Sequence, residues 1–193
     1  MRIGFEVLRR LHPDKVTKVY IPNVTWSLHH NIIADAGFEE VEFRYYDPAT
    51  KGLDIEGMLE DIDTKIPDSQ ILLLQTSCQN PSGVDPSKDE WQRILEVCKR
   101  KKHFVFFDTA YHGFGNDDIN EDTWSLKLFS VQYHRVMLAQ SFSKNMGLYG
   151  ERCGSISLVC TNHEEKERVQ TNLKHTILPF YANPPVNGAR IVI

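Results

Sequence analysis

The sequence predicts an α/β domain whose mostly parallel sheet is flanked by helices. Two continuous apolar runs, residues 71–74 and 104–107, are typical of parallel strands that are buried on both faces. Segments in which apolar residues recur at helical spacing lie between the predicted strands, as expected for strand-helix-strand units. Polar residues directly follow several of these strands, at the edge of the sheet where ligands bind in such folds.

The first predicted element is a helix over residues 1–12, in which arginines accompany apolar residues. A basic amphipathic start can also be a mitochondrial transit peptide. Glu6 and the lack of serines in this stretch favour a plain helix instead.

The next elements are a strand over residues 16–21 and a helix over residues 26–38, which Gly37 stops. Alternating apolar residues predict a second strand over residues 41–46. Asp54 can accept a hydrogen bond from the first turn of the helix that follows, so we predict that it is the N-cap.

The second half of the chain continues this alternation. Its predicted strands cover residues 71–74, 104–107, 136–139 and 155–160. Its predicted helices cover residues 86–102, 124–131 and 164–175, and residues 188–193 begin one more. No repeat or low-complexity tract interrupts the pattern, so we predict a single unit.

The composition is that of an ordinary globular protein and argues against several classes of function. Of the 193 residues, 41% are hydrophobic and 25% are charged. The formal net charge of -4 gives no basic surface for nucleic acid or anionic lipid. No apolar run approaches the roughly 20 residues needed to span a bilayer. The four cysteines have neither CxxC nor zinc-site spacing, which predicts reduced intracellular thiols and no metal site.

Residues 141–154 contain the strongest chemical signal in the sequence. Lys144 follows the apolar run at residues 136–139, and Arg152 lies eight residues later among glycines. A lysine at the end of a buried strand can act as an amine nucleophile and form a Schiff base. Ser141 and Arg152 could hold a phosphate, and this combination suggests pyridoxal phosphate. Taken alone, Lys144 is better explained as a surface lysine on a glycine-rich loop.

Pyridoxal phosphate chemistry requires further groups, and residues near other predicted strands supply them. A carboxylate such as Asp108 keeps the pyridine nitrogen protonated, so that the ring can accept electrons. Asn80 and Tyr111 can donate hydrogen bonds to the phenolate oxygen, and Trp26 can pack on the ring. Each has a simpler interpretation: Asp108 as a loop cap, Asn80 as a turn former, and the aromatics as core residues. Taken together, their positions favour a shared site.

Three segments resemble a known family: residues 80–86, 106–114 and 140–154. They strongly resemble the aspartate aminotransferases, which are fold-type I pyridoxal-phosphate enzymes, and the resemblance covers virtually the whole chain. It implies the large cofactor-binding domain of that fold. Residues 146–152 and 183–190 look more like the mitochondrial than the cytosolic animal enzyme. The resemblance therefore implies a soluble intracellular protein and favours the mitochondrial matrix slightly over the cytoplasm.

The resemblance also implies roles for individual residues. Lys144 is the Schiff-base lysine and proton carrier, Asp108 pairs with the pyridinium nitrogen, and Tyr111 contacts the phenolate oxygen; these are the implied catalytic residues. Trp26 and Asn80 contact both the cofactor and the substrate. The implied cofactor-binding set is Trp26, Asn80, Asp108, Tyr111, Ser141, Ser143, Lys144 and Arg152.

The implied reaction moves an amino group between L-aspartate and 2-oxoglutarate by a ping-pong Schiff-base mechanism, giving oxaloacetate and L-glutamate in a homodimer. Residues 1–193 would form a single partial domain, incomplete at both ends. The family's phosphate loop should precede Arg2. Its small domain, with the arginine that binds the substrate α-carboxylate, should follow Ile193. We therefore expect this chain alone to be inactive.

Several positions agree with or depart from the family pattern. His29 matches a histidine behind the aspartate, and Tyr149 matches a family tyrosine to which we give no catalytic role. Gln75 and Gln79 stand where the family usually has histidines. Leu178 stands where the family has an arginine that binds the distal carboxylate of the substrate in the neighbouring subunit. A buried leucine there would oppose aspartate and tolerate apolar or aromatic substrates.

Two other interpretations remain. A truncated or non-catalytic pyridoxal-phosphate-binding relative is favoured by Leu178 and by the segments missing from the family pattern. It is opposed by the intact residues Asp108, Tyr111, Lys144 and Arg152. A nucleotide-binding Rossmann domain is opposed by the lack of GxGxxG after the first strand and of a P-loop.

Overall fold

The computed structural model describes residues 1–11, 17–116 and 118–193. Its strands are β1 (Lys18–Pro22), β2 (Glu39–Phe43), β3 (Tyr46–Asp47), β4 (Gly52–Leu53), β5 (Ile71–Gln75), β6 (Phe104–Thr109), β7 (Val136–Ser141) and β8 (Gly154–Leu158). Its α-helices are α1 (Arg2–Leu11), α2 (Leu28–Asp35), α3 (Ile55–Glu60), α4 (Lys88–Lys101), α5 (Ile119–Asp122), α6 (Trp124–Gln132), α7 (His163–Tyr181) and α8 (Asn187–Val192). A π-helical segment, Asp61–Lys65, continues α3. None of the helices in the described part of the chain has the length and apolar character to cross a membrane.

Six strands form one sheet in the order β2-β1-β5-β6-β7-β8. Neighbouring strands pair in parallel, except that β7 and β8 are antiparallel. β3 and β4 form a separate antiparallel pair. The mostly parallel sheet predicted from the sequence is therefore confirmed. Parallel pairing brings the carboxyl ends of β1, β5, β6 and β7 to one edge.

Two hydrophobic layers cover the two faces of this sheet. Successive side chains of a strand point to opposite faces, so Phe106 and Phe107 belong to different layers. Phe106 packs edge-on against Phe5 of α1, with ring centroids 4.8 Å apart. Phe107 packs against Trp91 of α4 and Phe129 of α6, with centroids 6.0 and 5.2 Å away. Helices on both faces explain why the strand sequences are continuously apolar.

Helix α1 is part of the core, which confirms the helix predicted at the start of the chain. Phe5 and Leu8 are fully buried. Gly4 allows close approach to the sheet, because a side-chain carbon at that position would collide with Phe106. His12, the last residue of the predicted helix, lies outside the described residues.

Four of the described helices begin with a side-chain N-cap, formed by Asp54, Ser87, Asp118 and Asn162. As predicted, Asp54 is the N-cap of α3, and its Oδ1 accepts a hydrogen bond from the amide of Gly57 at 2.9 Å. Helix α4 begins slightly later than predicted because Ser87 forms a capping box with Glu90, which satisfies exposed amides at the helix start.

The second strand predicted over residues 41–46 is divided in the structure. β2 ends at Phe43, and Oδ1 of Asn23 accepts hydrogen bonds from the amides of Tyr45 and Tyr46 at 3.1 and 3.0 Å. These bonds occupy amides that the strand would otherwise use for sheet pairing, and the chain turns into β3. An alternating pattern within one segment contains no sign of such a distant partner.

Other predicted boundaries differ by a few residues. β1 begins at Lys18, and Val16, where we predicted the strand to start, lies outside the described residues. Helix α2 begins at Leu28 because Trp26 belongs to the preceding turn, where its carbonyl accepts a hydrogen bond from the amide of His29 at 2.8 Å.

Four elements were missed or shortened by the sequence prediction. Helix α7 continues to Tyr181 and contains Pro179, whereas we predicted its end at residue 175. Helix α5 and the β3–β4 pair are too short to produce a periodic pattern in the sequence.

Candidate active site

The carboxyl ends of β5, β6 and β7 border one cavity of about 460 Å³. Every member of the predicted cofactor-binding set lines this cavity: Trp26, Asn80, Asp108, Tyr111, Ser141, Ser143, Lys144 and Arg152. Parallel strand order brings these residues together although they are widely separated in the chain. The residues that the sequence analysis grouped therefore border one cavity, and their roles stay a prediction.

Asp108 is held from behind by His29. Nε2 of the fully buried His29 lies 3.2 Å from Oδ2 of Asp108, and Nδ1 lies 2.7 Å from the hydroxyl of Thr25. A carboxylate only accepts hydrogen bonds, so Nε2 is the donor toward Asp108 and the Thr25 hydroxyl can donate to Nδ1. This chain orients the Asp108 carboxylate, whose side chain is only 13% exposed.

Lys144 lies between two aromatic rings. Its Nζ is 5.1 Å from the ring centroid of Tyr111 and 5.3 Å from that of Tyr149. Both distances are within the range of cation–π attraction. The amine therefore has a defined position at the cavity wall, although it lies on a loop after β7.

Arg152 lies at the other end of the same loop. Its Nη1 donates a hydrogen bond to the carbonyl of Tyr149 at 2.9 Å, and its guanidinium carbon is 5.7 Å from the Tyr149 ring. The backbone φ of Arg152 is +52°, a left-handed conformation that is uncommon outside glycine. Ser141 and Ser143 lie close together in space: Oγ of Ser141 accepts a hydrogen bond from the backbone amide of Ser143 at 3.2 Å.

The charge of the cavity suits an anionic ligand. Among the described residues that line it, Asp108 is the carboxylate, and Arg2, Lys144 and Arg152 are cations. A planar guanidinium, an ammonium and nearby hydroxyls are a suitable donor set for phosphate. The single carboxylate is available for a ligand atom of opposite charge.

Comparisons with known proteins agree with this arrangement. The sequence profile of the family "Aminotransferase class I and II" matches residues 5–193. The chain belongs to this family.

Individual relatives are similar over nearly the whole chain. The mitochondrial aspartate aminotransferase of Gallus gallus is 45% identical over 191 residues, which are 99% of this chain and 45% of the relative. A mitochondrial aspartate aminotransferase from Trypanosoma brucei superposes with a TM-score of 0.93 at 40% identity, covering 99% of this chain and 50% of that one. An aromatic-amino-acid aminotransferase from Burkholderia pseudomallei, covalently bound to pyridoxal phosphate, superposes with a TM-score of 0.92 at 38% identity, covering 99% and 47%. The chain spans about half the length of these relatives.

In this aminotransferase the structure corrects one expectation, the burial of Leu178. Leu178, which we expected to be buried, lies on α7 and is 55% exposed. The residue before it, Ile177, lines the cavity. Adjacent side chains on a helix point in different directions, so Leu178 faces outward in the single chain.

Sequence reasoning missed His112, which connects the loop after β6 with the loop that carries Lys144. Nε2 of His112 lies 3.0 Å from Nε2 of Gln140 and also contacts the side-chain nitrogen Nδ2 of Asn145. Burial lowers the pKa of His112, while the charge of Asp122 acts in the opposite direction. A neutral ring is therefore favoured, with Nε2 available to accept. The only sequence signal for this residue is its position directly after Tyr111.

Asp122, also missed, holds the loop that follows Tyr111. Its Oδ2 accepts hydrogen bonds from the amides of Gly113 and Gly115 at 2.7 and 2.9 Å. Its Oδ1 accepts from the backbone and side-chain nitrogens of Asn116 at 2.9 and 3.0 Å. These contacts fix the backbone immediately beyond the cavity residue Tyr111.

Proposed function

We propose that this chain is the core of the cofactor-binding domain of an aspartate aminotransferase. In the complete protein the reaction would move the amino group between L-aspartate and 2-oxoglutarate, giving oxaloacetate and L-glutamate. The observation that carries this proposal is the convergence of Lys144, Asp108 and Arg152 on one cavity. The identity of 45% to the chicken mitochondrial enzyme supports the same substrates.

Pyridoxal phosphate is the cofactor that we propose for this cavity. The donor set fits it: an amine, a carboxylate oriented by a histidine, and a guanidinium with two hydroxyls. We assign covalent attachment to Lys144 and the phosphate to Arg152, Ser141 and Ser143. We assign the ring nitrogen to Asp108, since its negative charge favours a protonated pyridine.

Three residues complete the proposed cofactor site. Asn80 and Tyr111 would donate hydrogen bonds to the phenolate oxygen, and Trp26 would pack on the ring and exclude water from one face. Trp26 and Asn80 would also contact the substrate.

The protein residues have distinct chemical tasks in this proposal. When bound, pyridoxal phosphate supplies an electron sink for the bonds at the substrate Cα. Lys144 moves the proton at Cα, because its amine lies at the cavity wall and is flanked by Tyr111 and Tyr149. His29 keeps the Asp108 carboxylate in place and needs no contact with the substrate.

A second candidate function is an aminotransferase with relaxed or aromatic specificity. Leu178 stands where the family resemblance implies the arginine that binds a distal carboxylate, and a leucine cannot form that ion pair. The similarity to the aromatic-amino-acid aminotransferase of Burkholderia pseudomallei supports this alternative. A non-catalytic pyridoxal-phosphate-binding relative would bind the cofactor without turnover.

We also propose that the complete protein is a homodimer of the mitochondrial matrix. The mitochondrial relatives support this location, and the family resemblance implies a second subunit. Imaging of the tagged complete protein with a matrix marker, and light scattering of the purified protein, test the two statements separately.

The cofactor proposal is tested on the chain itself. We expect pyridoxal phosphate to bind with a visible to near-ultraviolet absorbance change, and borohydride reduction to label Lys144 in the mapped peptides. Lys144→Arg should abolish the label, whereas Lys174→Arg, at an exposed position of α7, should retain it. A label on any lysine other than Lys144 contradicts the assignment.

A further inference from the structure

Gln75 makes a two-sided contact with the backbone of Asn80 beside the cavity. Its Oε1 accepts a hydrogen bond from the amide of Asn80 at 2.9 Å, and its Nε2 donates to the carbonyl of Asn80 at 3.1 Å. Gln75 is 7% exposed, and both residues line the cavity. One side chain therefore satisfies the donor and the acceptor of the same residue.

A second glutamine holds the residues around Asn80. Nε2 of Gln79 donates to the carbonyl of Val24 at 2.7 Å, and its Oε1 accepts from the amide of Ser82 at 3.0 Å. Gln79 thus anchors the outer part of the loop, whereas Gln75 contacts the peptide groups of Asn80 itself. The two glutamines offer a matched pair for comparison.

We propose that Gln75 is a positioning residue that holds the backbone of Asn80 so that its side chain is presented to the cavity. The consequence for cofactor binding rests on the proposed function, in which Asn80 contacts the phenolate oxygen. An amide suits this task because it donates and accepts at once and does not titrate. The contact is therefore the same at every pH.

The surroundings of Gln75 make a neutral group advantageous. In the sheet register Gln75 pairs with Asp108, on the neighbouring strand β6. The titratable residues that line the cavity are Arg2, Asp108, Tyr111, Lys144, Tyr149, Arg152, Cys153 and Tyr181, together with the amino group of Met1, and His29 lies behind Asp108. A titrating side chain at position 75 would couple its own charge to these groups.

The first test uses amide hydrogen exchange in the chain without cofactor. In Gln75→Met the amide of Asn80 loses its acceptor, and its protection should fall about tenfold, while the protection of Ser82 is retained. In Gln79→Met the pattern should reverse: Ser82 loses protection and Asn80 keeps it. Wild-type protection of Asn80 in Gln75→Met, or an equal loss at Asn80 and Ser82, would overturn the proposal.

The second test uses Gln75→Glu to separate the two hydrogen bonds of this contact: the one that residue 75 accepts and the one that it donates. The introduced carboxylate can accept from the amide of Asn80, so the protection of that amide should be retained. It cannot donate to the carbonyl of Asn80 once ionised. Relative to wild type at each pH, the dissociation constant for pyridoxal phosphate should therefore rise about tenfold at high pH, with the difference shrinking as the pH falls. An affinity ratio that does not change with pH would contradict the donor half of the contact.

The cofactor-binding measurement and the hydrogen-exchange measurement can fail independently of each other. If the wild-type chain does not bind pyridoxal phosphate, the proposed cofactor site is wrong, and the exchange pattern alone still decides whether Gln75 positions Asn80. If the chain binds the cofactor but exchange is unchanged in Gln75→Met, the positioning role is wrong and the cofactor site stands.

Discussion

The contact between His29 and Asp108 determines what a substitution at Asp108 should do. Nε2 of His29 approaches the carboxylate at 3.2 Å, and the imidazole itself is held by Thr25. The carboxylate is thus oriented before any ligand arrives, which lowers the reorganisation required when opposite charge appears near it.

We expect Asp108→Asn to leave folding nearly intact and to impair turnover in the complete protein. The replacement has the same shape, but a neutral amide cannot stabilise a protonated pyridine nitrogen. The expected increase in the barrier is about 3 kcal/mol, or roughly a hundredfold in rate. Steady-state kinetics and urea unfolding provide the measurement, with Asp89→Asn, at an exposed position of α4, as control. Turnover near that of wild type would mean that another residue serves the ring nitrogen.

Leu178 yields a prediction about specificity. In the complete protein, Leu178→Arg should raise the ratio of kcat/KM for aspartate over phenylalanine, because a guanidinium can pair with the distal carboxylate. The exposed position of Leu178 in the single chain is consistent with a side chain that serves a neighbouring subunit. Gln170→Arg, which adds the same charge at an exposed position of α7, should leave the ratio unchanged. A wild-type ratio that already strongly favours aspartate and does not respond to Leu178→Arg would show that a different basic residue binds the distal carboxylate.

Among the elements, the loop between β6 and α5 depends on one buried carboxylate. Burial opposes the charged form of Asp122, but the hydrogen bonds from Gly115, Asn116 and Gly113 outweigh it and lower the pKa of this group. A lowered pKa in the folded state means that Asp122 stabilises the fold fully above the ordinary aspartate pKa of about 3.9. That contribution is lost as the pH falls through the lower, folded-state value.

Asp122→Asn should therefore destabilise the chain by about 2 kcal/mol at pH 7, because one amide nitrogen would face groups that only donate. Asparagine does not titrate, so the variant should not lose the stability that wild type loses when Asp122 is protonated. The difference in the free energy of unfolding between wild type and variant should therefore shrink below pH 4. Urea unfolding at several pH values gives both quantities. Asp118→Asn is the matched control: Asp118 is the N-cap of α5, and asparagine caps equally well. A deficit in Asp122→Asn that is constant with pH would exclude this role.

The sequence was most informative where an element is defined by its own residues. The apolar runs of β5 and β6, the cap at Asp54 and the placement of Lys144 after β7 could all be predicted locally. Prediction failed where a distant partner decides the structure. Asn23 ends β2 through contacts more than twenty residues away, and Asp122 holds a loop whose glycines give no indication of their acceptor. Such partners leave no periodic trace in the chain.

At the scale of the whole molecule, apolar side chains remain exposed at the end formed by α7 and α8. Phe180 is 49% exposed, Tyr181 52% and Ile191 77%. Clusters of exposed apolar groups promote association in water. We therefore expect the purified 193-residue chain to self-associate, and light scattering over a concentration series should detect it. Phe180→Ser should reduce association, whereas Thr171→Ser, on the same helix, should not.

We also expect this chain alone to show little or no transaminase turnover. It spans about half the length of its relatives, and the family resemblance implies that the arginine for the substrate α-carboxylate lies outside it. Positioning of the substrate would then be incomplete. A coupled assay with aspartate and 2-oxoglutarate, with the chicken mitochondrial enzyme as positive control, measures this. Robust turnover by the 193-residue chain would overturn the expectation.

The antiparallel pairing of β7 with β8 has a consequence for how this chain can vary. Ser141 and Gly154 are register partners, and the amide of Phe142 donates to the carbonyl of Cys153 at 3.1 Å. The two ends of the loop that carries Lys144 and Arg152 are therefore held together by strand pairing. The number of residues in this loop therefore sets the distance between the amine of Lys144 and the guanidinium of Arg152. An inserted or deleted residue between these two positions would change their spacing even in a protein that still folds, whereas the loops at the opposite edge of the sheet can change length without that effect.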